Sequence, residues 1–243
     1  AGIRSLAQNE IFENIGLFAI QEWELHSRIL LLLALRLDLL ALEAEDRFLL
    51  DGDDSGRRTY QQFNPSIGLH YRLGRQSYLY TNYTRSFETP ALSELTANPA
   101  GGGFNQMLSP QRASNLELGW KSILGQQWKA QLAAYYIWLD DELVPFELAG
   151  FPGRLFYRNA GQSERWGLEA SLSGRFSRSV SARLSYTYAQ YTYQEYETPS
   201  SDFAGNQLPG IPTHLGALLL NYRHQSGVSI QLQNRYVGEL YTD

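Results

Sequence analysis

The sequence predicts an all-β fold, an antiparallel transmembrane β-barrel segment of about ten strands, and three observations carry that prediction. Apolar and polar residues alternate with a period of two through one segment after another. Aromatic residues bracket the apolar strips, where a bilayer places its interfacial girdles. Short polar breaks alternate with long stretches rich in Gly, Pro, Asp and Ser, recurring about every 50 residues.

The strips are legible residue by residue. In 128–138, Trp128, Ala130, Leu132, Ala134, Tyr136 and Trp138 share one face, and Lys129, Gln131, Ala133 and Tyr135 share the other. Trp166, Leu168, Ala170, Leu172 and Phe176 repeat the strip, opposed by Gly167, Glu169, Ser171, Ser173 and Arg175. Val180, Ala182, Leu184, Tyr186 and Tyr188 form a third, and Val228, Ile230, Leu232 and Tyr236 a fourth. Pro65, Ile67, Leu69, Tyr71 and Leu73 alternate with Ser66, Gly68, His70 and Arg72.

The Leu- and Ala-rich run 29–42 invites a helix, since both residues are strong helix formers. The same period of two resolves it as a strand: Leu33, Leu35, Leu37 and Leu39 face lipid, while Ala34, Arg36 and Asp38 face water. Ten strands are expected, over 13–25, 28–45, 60–73, 76–88, 113–123, 127–139, 163–176, 179–194, 213–224 and 227–238. Long loops are expected over 46–59, 89–112, 140–163 and 198–212, with short turns on the opposite side. A soluble β-sandwich or barrel also alternates, but its outward face would be polar and would lack the aromatic brackets.

Composition fits a barrel that is wet on one side. Tyr (16), Phe (11) and Trp (5) are abundant in 243 residues, yet the mean hydropathy of −0.35 is polar. The net charge of −5 gives no basic footprint, so no nucleic-acid partner is expected. The absence of cysteine is compatible with an oxidising periplasm but decides little. No charged n-region and apolar h-region open the chain, so the expectation is that a leader was removed or that the segment starts within a larger protein.

Several strings resemble the barrel of TonB-dependent outer-membrane receptors. They are NIGLFAIQEWEL at 14–25 followed by LALRLD at 33–38, YTRSFETP at 83–90 with Leu92 and Leu95, LSPQRASNLELG at 108–119 and YRNAGQSERWGLE at 157–169. The family pattern commonly has an aromatic where Leu37 stands and Glu where Gln111 stands. The resemblance implies a bacterial outer-membrane location, a barrel of about 22 strands, a lumen plug, and contact with the TonB complex through that plug. Neither the plug nor the C-terminal closing strands is recognisable in 1–243, so the whole chain is expected to be one part of the barrel wall. DELVPFELAGFPGRLFY at 141–157 is most similar to receptors for pyrroloquinoline quinone.

The partners this implies are outer-membrane lipid, the TonB complex and a small-molecule or metal-chelate ligand, with no resident cofactor. Phe146, Phe151, Arg154, Phe156, Tyr157, Arg158, Tyr191 and Tyr193 are the candidate ligand-binding residues, with Phe104 and Tyr196 as further candidates. Aromatic faces and guanidinium groups together suit a planar, carboxylate-bearing or catecholate-like solute, through stacking and bidentate pairing. The bland alternative is that these aromatics pack the loops against one another. Asn159, Gly161, Gly167 and Glu169 occupy family-typical positions and are expected to serve strand beginnings and lumen hydrogen bonding.

Other chemistry is weakly signalled. His26, His70, His214 and His224 have no metal-ligand spacing. DGDDSG at 51–56 superficially resembles a calcium loop but has Gln62 at the last ligand position, and reads as a solvated loop tip. Asp140, Asp141 and Glu142 read as a hydrated rim rather than a catalytic acid pair. The expected function is therefore energised solute uptake, not enzymatic turnover. The alternatives are a passive or substrate-selective pore and an adhesion barrel.

Overall fold

The structure, a computed structural model, describes residues 7–50, 52–148, 150–198 and 201–242. Its strands are β1 (Gln8–His26), β2 (Ile29–Asp46), β3 (Gly56–Arg72), β4 (Ser77–Glu88), β5 (Gln111–Leu124), β6 (Trp128–Glu147), β7 (Leu155–Arg175) and β8 (Val180–Thr198). A two-residue β9 (Ser201–Asp202) pairs back onto β8, and β10 (His214–Arg223) and β11 (Ser229–Val237) follow. Each long strand is antiparallel to its chain neighbours, in the order β1 to β8, then β10 and β11. One short helix, α1 (Leu92–Thr96), interrupts the pattern.

The ten expected strands are present, and 29–42 is a strand with Leu33 opposite Ile67 and Leu37 opposite Phe63. Those rows build the lipid face. Leu39, Leu132, Leu168 and Leu184 are each about half exposed, at 51%, 51%, 51% and 52%. Such exposure would be costly in water and is stabilising against hydrocarbon. The opposite face carries the polar rows, Asp38 beside Gln62 and Arg36 beside Asn64. Arg36 holds Asp38 in an ion pair at 2.7 Å, and Asn64 adds a hydrogen bond to the same carboxylate.

The loop expected over 140–163 is largely strand. β6 continues to Glu147 and β7 begins at Leu155, so the connection shrinks to 148–154. Two register shifts, between Leu139 and Glu142 and between Glu142 and Leu143, break the simple alternation there. Asp141 sits at φ 58, a left-handed conformation suited to a bulge. That bulge, with Pro145, made strand sequence read as loop. Likewise β3 starts at Gly56, inside the stretch 46–59 expected to be loop.

The loop after β4 does not project away from the wall. It folds onto the lumen face, where Leu95, Phe104 and Leu108 join Leu40, Leu42, Ala44 and Tyr60 in a buried cluster. α1 touches both β2 and β7, five strands apart in the sheet, so it lies across the lumen face between them. Phe87, Leu92, Leu143 and Tyr157 flank the cluster. The lumen face is thus apolar at its long-loop end, where a loop covers it, and polar further down.

Lipid exposure and lumen exposure should separate sharply on one strand. In the full-length protein, Leu132→Arg should lower stability by about 2–4 kcal/mol, the cost of a cation near the bilayer midplane. Its neighbour Gln131→Arg, on the lumen face, should stay within about 0.5 kcal/mol. Denaturant midpoints of the folded, heat-modifiable form measure both.

Candidate ligand-binding surfaces

Two groups of side chains have the chemistry to meet a solute. The first lies on the lumen wall, where the shared register of β6, β7 and β8 stacks rows of facing residues. Tyr135 pairs with Gly167 and Gly167 with Ala189, while Ile137 pairs with Arg165 and Arg165 with Tyr191. Leu139, Ser163 and Tyr193 make the next row. Because side chains alternate across a strand, all of these share one face.

Within that group Arg165 is the hub. Its guanidinium pairs with Glu142 at 2.7 Å and lies 5.7 Å from the centre of the Tyr191 ring. It also donates to the Ser163 hydroxyl at 3.3 Å. The Tyr191 and Tyr135 hydroxyls are 3.2 Å apart, forming one connected network. The ion pair is largely shielded, with side-chain exposures of 26% for Arg165 and 13% for Glu142. Oε2 of Glu142 is buried with no hydrogen-bond partner among the described residues, leaving an acceptor for a donor group.

Glycines let the tyrosines lie flat on this wall. Any Cβ added at Gly167 would collide with the Tyr135 ring, and one at Gly119 with the Tyr80 ring. Tyr80 then donates to Glu117 at 2.5 Å. Gly167 therefore serves the packing of the lumen face.

The second group caps the β6–β7 hairpin. Phe156 packs against Phe146 at 6.1 Å and Phe151 at 5.7 Å between ring centres. Arg154 lies over Phe156 at 5.2 Å, and Arg158 over Phe146 at 5.4 Å. Arg158 also donates to the Glu197 carbonyl, which ties the hairpin to β8. Phe156 is only 1% exposed, so its ring packs the hairpin while Arg154 remains exposed around it.

The eight candidate residues thus fall into separate places. Phe146, Phe151, Arg154, Phe156 and Arg158 come together at the hairpin. Tyr157, next to Phe156 in the strand, packs on the lumen cluster instead. Tyr191 and Tyr193 belong to the lumen wall with Arg165. Phe104 is in the buried cluster, and Tyr196 stacks on Phe203 and meets Tyr193 at a tilt.

Sequence reasoning missed Arg165, and it read Glu142 as a hydrated rim. Glu142 is instead a shielded ion-pair partner, because the bulge at Asp141 brings it alongside Gly161. Alternation through 163–176 placed the odd residues of β7 in the lumen, and that was the one signal available for Arg165.

Two family-typical or loop features take structural roles. Asn159 accepts from the Ser109 amide at 2.7 Å and donates to the carbonyls of Ser109 and Asp141, stapling the inward loop to β7. In the Asp-rich turn, Asp46 accepts from the amides of Phe48 and Asp54. Hydrogen bonds from Ser55, side chain first and backbone amide second, hold the Asp53 carboxyl below its usual range. Among the described residues no group of three His, Cys, Asp or Glu is arranged to hold a metal ion.

Comparison with known proteins places this wall. The family model described as TonB dependent receptor-like, beta-barrel, matches residues 3–243. A probable TonB-dependent siderophore receptor, PiuA of Acinetobacter baumannii, is 24% identical over 254 residues, covering 95% of this chain and 32% of its own length. The crystal structure of that organism's siderophore receptor PiuA superposes with a TM-score of 0.78 at 20% identity, covering 97% of this chain and 34% of that one. The ferric-catecholate import receptor Fiu from E. coli K12, in its closed form, superposes with a TM-score of 0.76 at 19% identity, covering 97% and 36%. The chain therefore spans about a third of the length of these relatives.

The inward loop should be held by its cluster rather than by the ladder. Leu95→Ala, at a fully buried position, should weaken docking of residues 91–108 by about 2–5 kcal/mol. Hydrogen exchange should accelerate across that segment and remain unchanged in β5 and β6.

Proposed function

This chain belongs to the TonB dependent receptor-like β-barrel family, and from that premise we propose that its protein captures a scarce solute at the surface of the outer membrane and imports it with energy supplied through TonB. Residues 1–243 are one part of the wall, and the plug and the strands that close the barrel lie outside them. The solute is a siderophore-type metal chelate or a small anionic cofactor such as pyrroloquinoline quinone. No covalent chemistry is assigned to the wall.

One observation carries this reading over a passive pore. The loop after β4 and α1 reach from β2 to β7 over the lumen face, so the long-loop end of this part of the wall is covered. A buried, inward-folded segment at that end supports a receptor that binds first and moves solute later. Arg154 and Arg158 among phenylalanines, and Arg165 among tyrosines, supply cation and aromatic surface for a planar anion.

Uptake of labelled ferric siderophores, catecholate and carboxylate types in parallel, tests the proposal in cells expressing the full-length protein. Uptake should require both the protein and TonB, and Arg165→Gln should raise the half-saturating concentration several-fold with normal surface abundance. Equal flux in cells lacking TonB would establish the pore reading instead.

A further inference from the structure

The lipid face of β5, β6 and β7 carries a notch that the ladder itself creates. One row runs Leu118, Ala134, Leu168 across the three strands, and the row above it runs Leu116, Tyr136, Trp166. Ala134 is the one small side chain among the six, so it forms the floor and the leucines stand as walls. The two rings that could fill the space pack elsewhere. Tyr136 leans on Trp138, with ring centres 4.5 Å apart, and Trp166 on Tyr188 of the next strand, at 5.3 Å. What is left is an open groove of about 400 Å³ with these six side chains along it.

A pair of cations stands above the groove on the same face. Arg85 is opposite Ser114 in the β4–β5 ladder and Arg112 is opposite Phe87, so alternation puts both arginines on the side of Leu116. The Tyr83 hydroxyl, 3.4 Å from that of Ser114, shares that side. Ser114 and Arg112 lie two and four residues beyond Leu116, about 7 and 14 Å along the strand. Long loops leave this end of the wall, which sets the arginines at the outer-leaflet boundary. Arg85 is exposed and belongs to none of the five ion pairs among the described residues. Arg112 meets Asp141 at 3.6 Å, with side-chain exposures of 41% and 45%, a contact weak enough to leave its guanidinium free donors. Two acids lie nearby on this face: Asp140, opposite Arg112, and Glu164, which accepts from Gln194 on β8.

We propose that the groove and the arginine pair form a site for one phosphate-bearing acyl lipid of the outer leaflet. Its phosphate sits between Arg85 and Arg112, and one acyl chain lies over Ala134. Ordinary surrounding lipid needs only the apolar rows, which continue onto every strand of the wall. Here a cation pair stands at headgroup height directly above a recess in the apolar surface, the complement of an anionic head with a chain beneath it. Arginine forks match phosphate oxygens bidentately, and the adjoining hydrocarbon strengthens the attraction. A soluble solute is the wrong occupant, because the groove opens away from the lumen.

Native mass spectrometry of the full-length protein tests this, after release from vesicles containing either bisphosphorylated lipid A or the same glycolipid stripped of its phosphates. One phosphorylated lipid should stay bound per protein, and retention of the phosphate-free form should be several-fold lower. Ala134→Phe, which fills the notch with a lipid-compatible ring, should cut retention several-fold, and so should Arg85→Gln combined with Arg112→Gln. Leu184→Phe, on the lipid face beyond the groove, should change nothing, and heat-modifiability reports an intact barrel in each variant. Equal retention of the two glycolipids, or retention indifferent to Ala134→Phe, overturns the proposal and leaves ordinary surrounding lipid. Displacement of the lipid by millimolar inorganic phosphate also overturns it, since the arginines would then hold a free anion.

Discussion

Hydrocarbon offers no partner for a backbone N–H or C=O, and the rest of the structure depends on that constraint. Every peptide group at membrane depth must be bonded within the protein, so strands run beside their chain neighbours with no crossover. A ladder of this kind has two faces and no interior. One face meets lipid and carries Leu, Ala, Val, Ile and the aromatic brackets. The other meets water, the covering loop or the lumen contents, and it can hold Asp38, Glu117, Arg165 and Glu169 without burying a charge in hydrocarbon.

This division explains what the sequence made legible. A period of two is a local property, so the ten strands, their faces and even the strand character of the Leu-rich run could be read without neighbours. Above the bilayer the lipid no longer enforces alternation. There bulges are tolerated, and Asp141 and Pro145 disguised the continuation of β6. The inward fold of 89–110 was invisible for a different reason. Its apolar residues, Leu92, Leu95, Phe104 and Leu108, are spaced without a period and find partners far away in sequence, on β2, β3, β6 and β7.

The candidate site was legible in type and not in arrangement. Arginines and aromatics near 146–158 stood out by composition, and most of them do gather at one hairpin. Yet neighbours in sequence are opposites in a strand, and Phe156 and Tyr157 part company across the wall. The Arg165–Glu142 pair joins residues 23 apart and depends on a register shift, so no local pattern could announce it. The notch on the lipid face shares this character. Ala134 becomes a floor only when Leu118 and Leu168 are laid beside it.

The strut formed by α1 has a mechanical consequence. It rests on the same wall at two places, β2 and β7, and is held there by apolar side chains and by Asn159. The segment can detach without the loss of any pairing between the long strands, since α1 belongs to no ladder. The wall's many ladder bonds stay intact, and the free energy of opening is that of releasing one short segment into water. The ladder and this segment thereby differ in what holds them: the ladder keeps its bonds at membrane depth, while the segment stays only as firmly docked as its apolar contacts allow.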